Sequence, residues 1–157
     1  MKIEKFNLTK ENLLKVMEID KTFYHDKELT KEWYFERFKD SYEGIGLYDG
    51  EKLVGYLIAC PIDKTLYNEI KLGKYDNDTM FNPNDFVEES DYYYINSILI
   101  LDKYRNHEYS LKMIEKLNPN KNYIAITVSK MGYIVASQYM KEVLKINDST
   151  YIFTNEI

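Results

Sequence analysis

The segment Arg105-Asn-His-Glu-Tyr-Ser110 is a stretch whose residue types could bind a charged partner. It follows the apolar run Ile98–Leu101 and precedes Leu111, Ile114 and Leu117, which recur at helical spacing. A strand-to-helix connection of this kind is either an ordinary link or an anion site. The second option exists because a helix N-terminus presents unpaired amides and the positive end of its dipole. Lys103, Arg105, His107 and Lys112 bring cations to the same place. A second group is acidic: Glu69, Asp76, Asp78, Asp85, Glu88, Glu89 and Asp91, offset only by Lys64, Lys71 and Lys74. Such a run is either a solvated face or a wall that steers a cationic amine.

Other chemistries find less support. The single cysteine, Cys60, reads as a buried strand residue with no base beside it, and it excludes an intramolecular disulfide. With only two histidines, His25 and His107, no zinc site is expected, and His25 reads as a surface residue of a polar loop. Gly44-Ile-Gly46 leads into a strand rather than a helix and is not a phosphate loop. A net charge of −5 argues against a nucleic-acid partner, and the 16 tyrosines are not interleaved with a basic stripe. They read as strand and pocket-wall residues. No apolar run approaches the ~20 residues a membrane helix needs. Met1–Phe6 carries no secretory pattern, so a reducing cytoplasm is the expected compartment.

The elements that must position these residues follow from periodicity. With 157 residues, 45% of them hydrophobic and 30% charged, the chain suits one folded domain over 1–157. Residues 2–8 alternate as a strand, with Ile3, Phe6 and Leu8 facing inward. Thr9 is placed to cap a helix over about Lys10–Phe23, and Thr30 one ending near Ser41. Gly44–Tyr48 and Lys52–Cys60 read as strands joined by an Asp49-Gly50 hairpin turn, with Pro61 ending the second. Residues 62–90 are a long excursion in which Leu66, Tyr67 and Ile70 predict a turn or two of helix. Asp91–Leu101 and Tyr123–Val128 read as strands, Ser110–Leu117 and Gly132–Leu144 as helices, and Ser149–Thr154 as a last strand.

That order, with the segment Ile100-Leu-Asp-Lys-Tyr104-Arg105-Asn-His-Glu-Tyr-Ser110-Leu-Lys-Met-Ile114, resembles the GNAT family of acyl-CoA-dependent N-acetyltransferases over essentially the whole chain. The family's signature is a strand, then Arg/Gln-x-x-Gly-x-Gly/Ala, then a helix whose first amides cradle the pyrophosphate of acetyl-CoA. Arg105 stands at the first position, with Glu108 and Ser110 in place of the two small residues. A carboxylate ~4 Å from a diphosphate costs about 1 kcal/mol in water and about 4 kcal/mol at an effective dielectric of about 20. Further on, the family reads strand, Asn, a helix with Ala and Tyr, then Gly-Phe. Here Gly132 takes the Asn place, Val135 the Ala place and Tyr139 the Tyr place, and Val143-Leu144 replaces Gly-Phe.

The resemblance implies an α/β (α+β) fold, with a mixed, mostly antiparallel central sheet of about six or seven strands flanked by about four helices. It implies acetyl-CoA as acyl donor, no metal, and transfer of acetyl to a primary amine of a small-molecule or peptide acceptor. Neither nucleic acid nor membrane is an implied partner, and the chain would be a monomer or homodimer. Donor-binding residues would be Leu99, Ile100, Leu101, Arg105, Asn106, His107, Glu108, Tyr109 and Ser110. Tyr139 would protonate the leaving thiolate, Asn96 would orient the amine, and Glu89, Glu88 or Asp91 would act as base through water. The departures at Glu108, Gly132 and Val143 also fit an alternative: a GNAT-fold binding or regulatory module with weak or lost catalysis.

Overall fold

A computed structural model describes residues 1–24, 28–78, 81, 83–105 and 107–155. In chain order it contains β1 (Lys2–Asn7), α1 (Lys10–Asp20), α2 (Lys31–Arg37), β2 (Glu43–Asp49), β3 (Lys52–Ile62) and α3 (Lys64–Lys71). These are followed by β4 (Tyr92–Ile100), α4 (His107–Ile114), β5 (Asn122–Thr127), α5 (Lys130–Tyr139), β6 (Lys141–Lys145) and β7 (Tyr151–Thr154). Among the described residues there are thus seven strands and five α-helices, and the strands form one mostly antiparallel sheet in the order β1-β2-β3-β4-β5-β7-β6. The expected fold class holds, and α3 is the helix added by the excursion. Contacts divide the chain into two units, Met1–Ala59 with Ser97–Lys116 and Cys60–Asn96 with Leu117–Ile157.

In the first unit, β1, β2 and β3 pair antiparallel, from Lys2↔Tyr48 to Asn7↔Glu43 and from Gly44↔Ile58 to Asp49↔Lys52. Gly50 takes φ +61, the left-handed conformation that a tight hairpin turn after Asp49 requires. Thr9 caps α1 by accepting the Asn12 amide at 3.2 Å, and Thr30 caps α2 by accepting that of Trp33 at 3.3 Å. α1 buries Leu13, Val16, Met17, Ile19 and also Asp20, where it ends rather than running on to Phe23. The Leu101 amide donates to the Val54 carbonyl at 2.9 Å, which ties the end of β4 to β3. Gly55 permits that approach: a Cβ there would sit 3.1 Å from the Leu99 carbonyl oxygen and 3.0 Å from Ile100 Cγ1.

In the second unit, Asp63 caps α3 by accepting the Leu66 amide at 2.8 Å, and α3 buries Leu66, Tyr67 and Ile70, as their spacing predicts. β3 does not stop at Pro61. It continues to Ile62, because the excursion returns beside it: Val87 donates its amide to the Pro61 carbonyl at 2.9 Å, and Phe86 bridges Ile62. Proline's missing N–H costs nothing where its carbonyl is the group used. β5 pairs β7 antiparallel and β7 pairs β6 antiparallel.

Besides the ends of α1 at Asp20, α2 at Arg37 and β3 at Ile62, two boundaries differ from the sequence reading. The helix expected over Gly132–Leu144 ends at Tyr139, and Lys141–Lys145 is β6. Met140 is extended, at φ −125 and ψ 165, while Glu142 and Leu144 stand opposite Phe153 and Ile152 of β7. Strand pairing overrides a helical stripe that runs on through Val143. The helix expected over Ser110–Leu117 is α4, which begins at His107. Glu108 and Ser110 therefore lie inside a helix rather than in a loop before one.

Candidate functional site

The approach to α4 is built by a chain of local bonds in the first unit. After Leu101 a 3-10 turn, Asp102–Tyr104, reverses the backbone, with the Tyr104 amide donating to the Leu101 carbonyl at 2.8 Å and the Arg105 amide to that of Asp102 at 3.1 Å. The Tyr104 hydroxyl donates to Asp49 Oδ2 at 2.7 Å, fixing this turn to the β2–β3 hairpin. The Arg105 guanidinium bridges Asp102 Oδ1 at 3.2 Å and lies 4.8 Å over the Phe23 ring. Arg105 is thus already positioned, and its own amide is spent. Asn106 lies outside the described residues, as does the His107 side chain and the whole of His25.

Within α4, Met113 is fully buried and anchors the helix, while Glu108 is exposed in its first turn. The amides of His107, Glu108 and Tyr109 open the helix and have no intrahelical acceptor. They, and not the Arg105 amide, are the donors this segment can offer an anion. On β4, Leu101 has given its amide to Val54. Backbone amides alternate along a strand, so the Ile100 amide points to the opposite edge.

The second unit holds the remaining candidates. Asn96 follows the short parallel ladder Tyr92–Tyr94 opposite Asn122–Ile124, and its Oδ1 is buried without a hydrogen-bond partner among the described residues. Glu89 is exposed. Asp91 is ion-paired to Lys121 at 2.9 Å, and this bond, with the nearby charges of Asp91 and Glu89, holds the lysine above its ordinary pKa. Tyr139 ends α5 and is 38% exposed, which places it at a surface rather than in the core. No hydrogen bond or ion pair joins Asn96 or Glu89 to Tyr139 among the described residues. Elsewhere in the excursion, Glu69 accepts from Tyr75 at 2.9 Å and Asp76 from Asn77 at 2.7 Å.

Sequence reasoning missed a buried polar cluster in the first unit. Asp20 of α1 accepts hydrogen bonds from the phenols of Tyr34 (α2) and Tyr56 (β3), and Ser97 Oγ of β4 lies 3.1 Å from the Tyr56 hydroxyl. Asp20 is 7% exposed, and Tyr34 and Tyr56 are fully buried. Burial raises the carboxyl's pKa, and the two phenol bonds pull it back. Burial and the Asp20 charge raise both phenols well above the ordinary tyrosine range. One sign of it was readable. Asp20 continues the apolar stripe Leu13, Val16, Met17, and a carboxylate on a buried face needs partners.

No protein-family model matches this chain, and no curated protein matches it either. Solved structures do match along its whole length. The loading GNATL domain of CurA from Lyngbya majuscula superposes with a TM-score of 0.68 at 9% identity, over 99% of this chain and 98% of that one. The GphF GNAT-like decarboxylase in complex with isobutyryl-CoA gives 0.70 at 8%, over 98% of each. NAA60 of Arabidopsis thaliana, in complex with acetyl-CoA, gives 0.63 at 13%, over 99% and 100%. The chain has the GNAT fold.

Proposed function

We propose that this chain is an acyl-CoA-dependent N-acyltransferase that moves an acetyl group from acetyl-CoA to a primary amine. The observation that carries this reading is the α4 entrance: a helix of the GNAT fold whose opening amides, at His107, Glu108 and Tyr109, follow directly on a fixed turn at the end of β4. Acetyl-CoA supplies an activated thioester. The residues of this chain supply the rest. The α4 amides hold the diphosphate, with Lys103 and Lys112 adding positive charge. The exposed position of Glu108 lets solvent screen its repulsion. The Ile100 amide faces the developing charge on the carbonyl oxygen. Tyr139, exposed at the end of α5, donates a proton to the leaving sulfur. The carboxylates of the excursion favour a cationic acceptor.

The test is release of CoA thiol from acetyl-CoA in the presence of spermidine, L-lysine or a short peptide. Amine-dependent release is expected. A chain that binds CoA yet releases none with any amine matches the second reading, a GNAT-fold binding module. The observation in favour of that reading is Glu108 in the first turn of α4, where a carboxylate competes for the same amides.

A further inference from the structure

The mechanism above leaves the buried carboxylate of Asp20 without a task. An ionised carboxylate carries no proton, so Tyr34 and Tyr56 must both donate to it. The single phenol proton of Tyr56 is then spent. The Ser97 hydroxyl, 3.1 Å away, must therefore donate to the Tyr56 oxygen. Its own proton spent, Ser97 Oγ is left as an acceptor only, and no other described group bonds to it. Ser97 is half-buried on β4, whereas Asp20 and Tyr56 are closed to solvent. The array thus links a buried base to one reachable oxygen that accepts N–H or O–H donors.

We infer that Ser97 Oγ receives an N–H of the amine substrate, and that Tyr56 and Asp20 behind it form a relay for the proton the amine loses. This rests on the acyltransfer reading. As nitrogen bonds to the acetyl carbon and the carbon–sulfur bond breaks, the nitrogen becomes acidic. Its proton passes to Ser97 Oγ, the Ser97 proton to the Tyr56 oxygen, and the Tyr56 proton to Asp20 Oδ1. The thiolate takes its proton from Tyr139, and the relay resets when Asp20 returns its proton along the same path. Ser97 is the catalytic residue here, and Tyr56 and Asp20 act through it. The titratable groups facing Asp20 are Tyr34 from α2, Tyr56 from β3 and, through the field at both phenols, Tyr24 just beyond α1.

The test uses the full chain with n-butylammonium as probe, following the Asp20 carboxyl carbon by NMR. A cation bonded to Ser97 Oγ polarises the array and favours ionised Asp20. The Asp20 titration midpoint should therefore shift to lower pH when the probe saturates, and by linkage the probe should bind more weakly as pH falls through that midpoint. Ser97→Ala and Tyr56→Phe should each abolish the shift. Tyr34→Phe, which leaves the path intact, should keep it. If Tyr56→Phe fails to fold, Ser97→Ala at the reachable end decides. A midpoint that the probe does not move, or moves equally in Ser97→Ala, overturns the inference. Calorimetric CoA binding on the same samples separates the two claims. CoA bound with no amine response sinks the relay alone. An amine response without CoA binding sinks the acyltransfer reading and the relay with it, and leaves Ser97 Oγ as an amine-binding group only.

Discussion

The Tyr104 hydroxyl donates to the Asp49 carboxylate at 2.7 Å, so the turn that launches α4 is fastened to the β2–β3 hairpin, 55 residues away in sequence. The same bond raises the Tyr104 phenol above its ordinary pKa. It is an exposed bond, so its service is to position the turn rather than to stabilise the fold. Tyr104→Phe should weaken CoA binding by several-fold and leave the thermal midpoint nearly unchanged. A loss of stability with CoA affinity intact would show the opposite role.

Glu108 stands on the first turn of α4 with its side chain exposed. Glu108→Gln keeps a good helix former and removes the charge. CoA affinity should rise by about fivefold at low salt, the scale of a charge pair at ~4 Å in water. The gain should shrink as ionic strength rises. An affinity equal to wild type at low salt means that the carboxylate does not face the bound diphosphate.

Tyr139→Phe removes the proposed acid. Turnover of acetyl-CoA with an amine acceptor should drop by about 10²-fold or more with KM little changed. Turnover equal to wild type removes Tyr139 from the mechanism.

Asp20 has a signature in stability. Burial, set against its bonds from Tyr34 and Tyr56, holds its folded pKa above the ordinary 3.8. Between those two values the native state keeps a proton that the unfolded chain has lost. This contribution is therefore fully present below pH 3.8 and disappears as pH rises through the folded midpoint. Denaturant midpoints across that window should fall with rising pH more steeply in wild type than in Asp20→Asn, which cannot titrate. Parallel slopes contradict the assignment.

Local signals carried much of the fold. Thr9 and Thr30 cap the helices their positions predict, Asp49-Gly50 turns the hairpin, and Leu66, Tyr67 and Ile70 face inward from α3. What was not legible depends on partners distant in sequence. β6 exists because Leu144 meets Ile152, and nothing within Val135–Val143 breaks a helical stripe in the sequence. The start of α4 at His107 is hidden because Arg105–Glu108 is polar and the apolar helical spacing begins only at Leu111. The Asp20 cluster joins residues 14 and 36 positions apart, and Ser97 meets Tyr56 across 41. One polar residue on an apolar stripe announces that a partner must exist without saying which of 16 tyrosines it is.

A calorimetric titration of the full chain with coenzyme A bears on the α4 amides most directly. Saturable binding near one CoA per chain, with a thermal midpoint that climbs as CoA is added, is the predicted result. At 100 times Kd the added stability should approach about 2.7 kcal/mol. No heat and no change in midpoint at millimolar CoA would contradict the proposed function at its root.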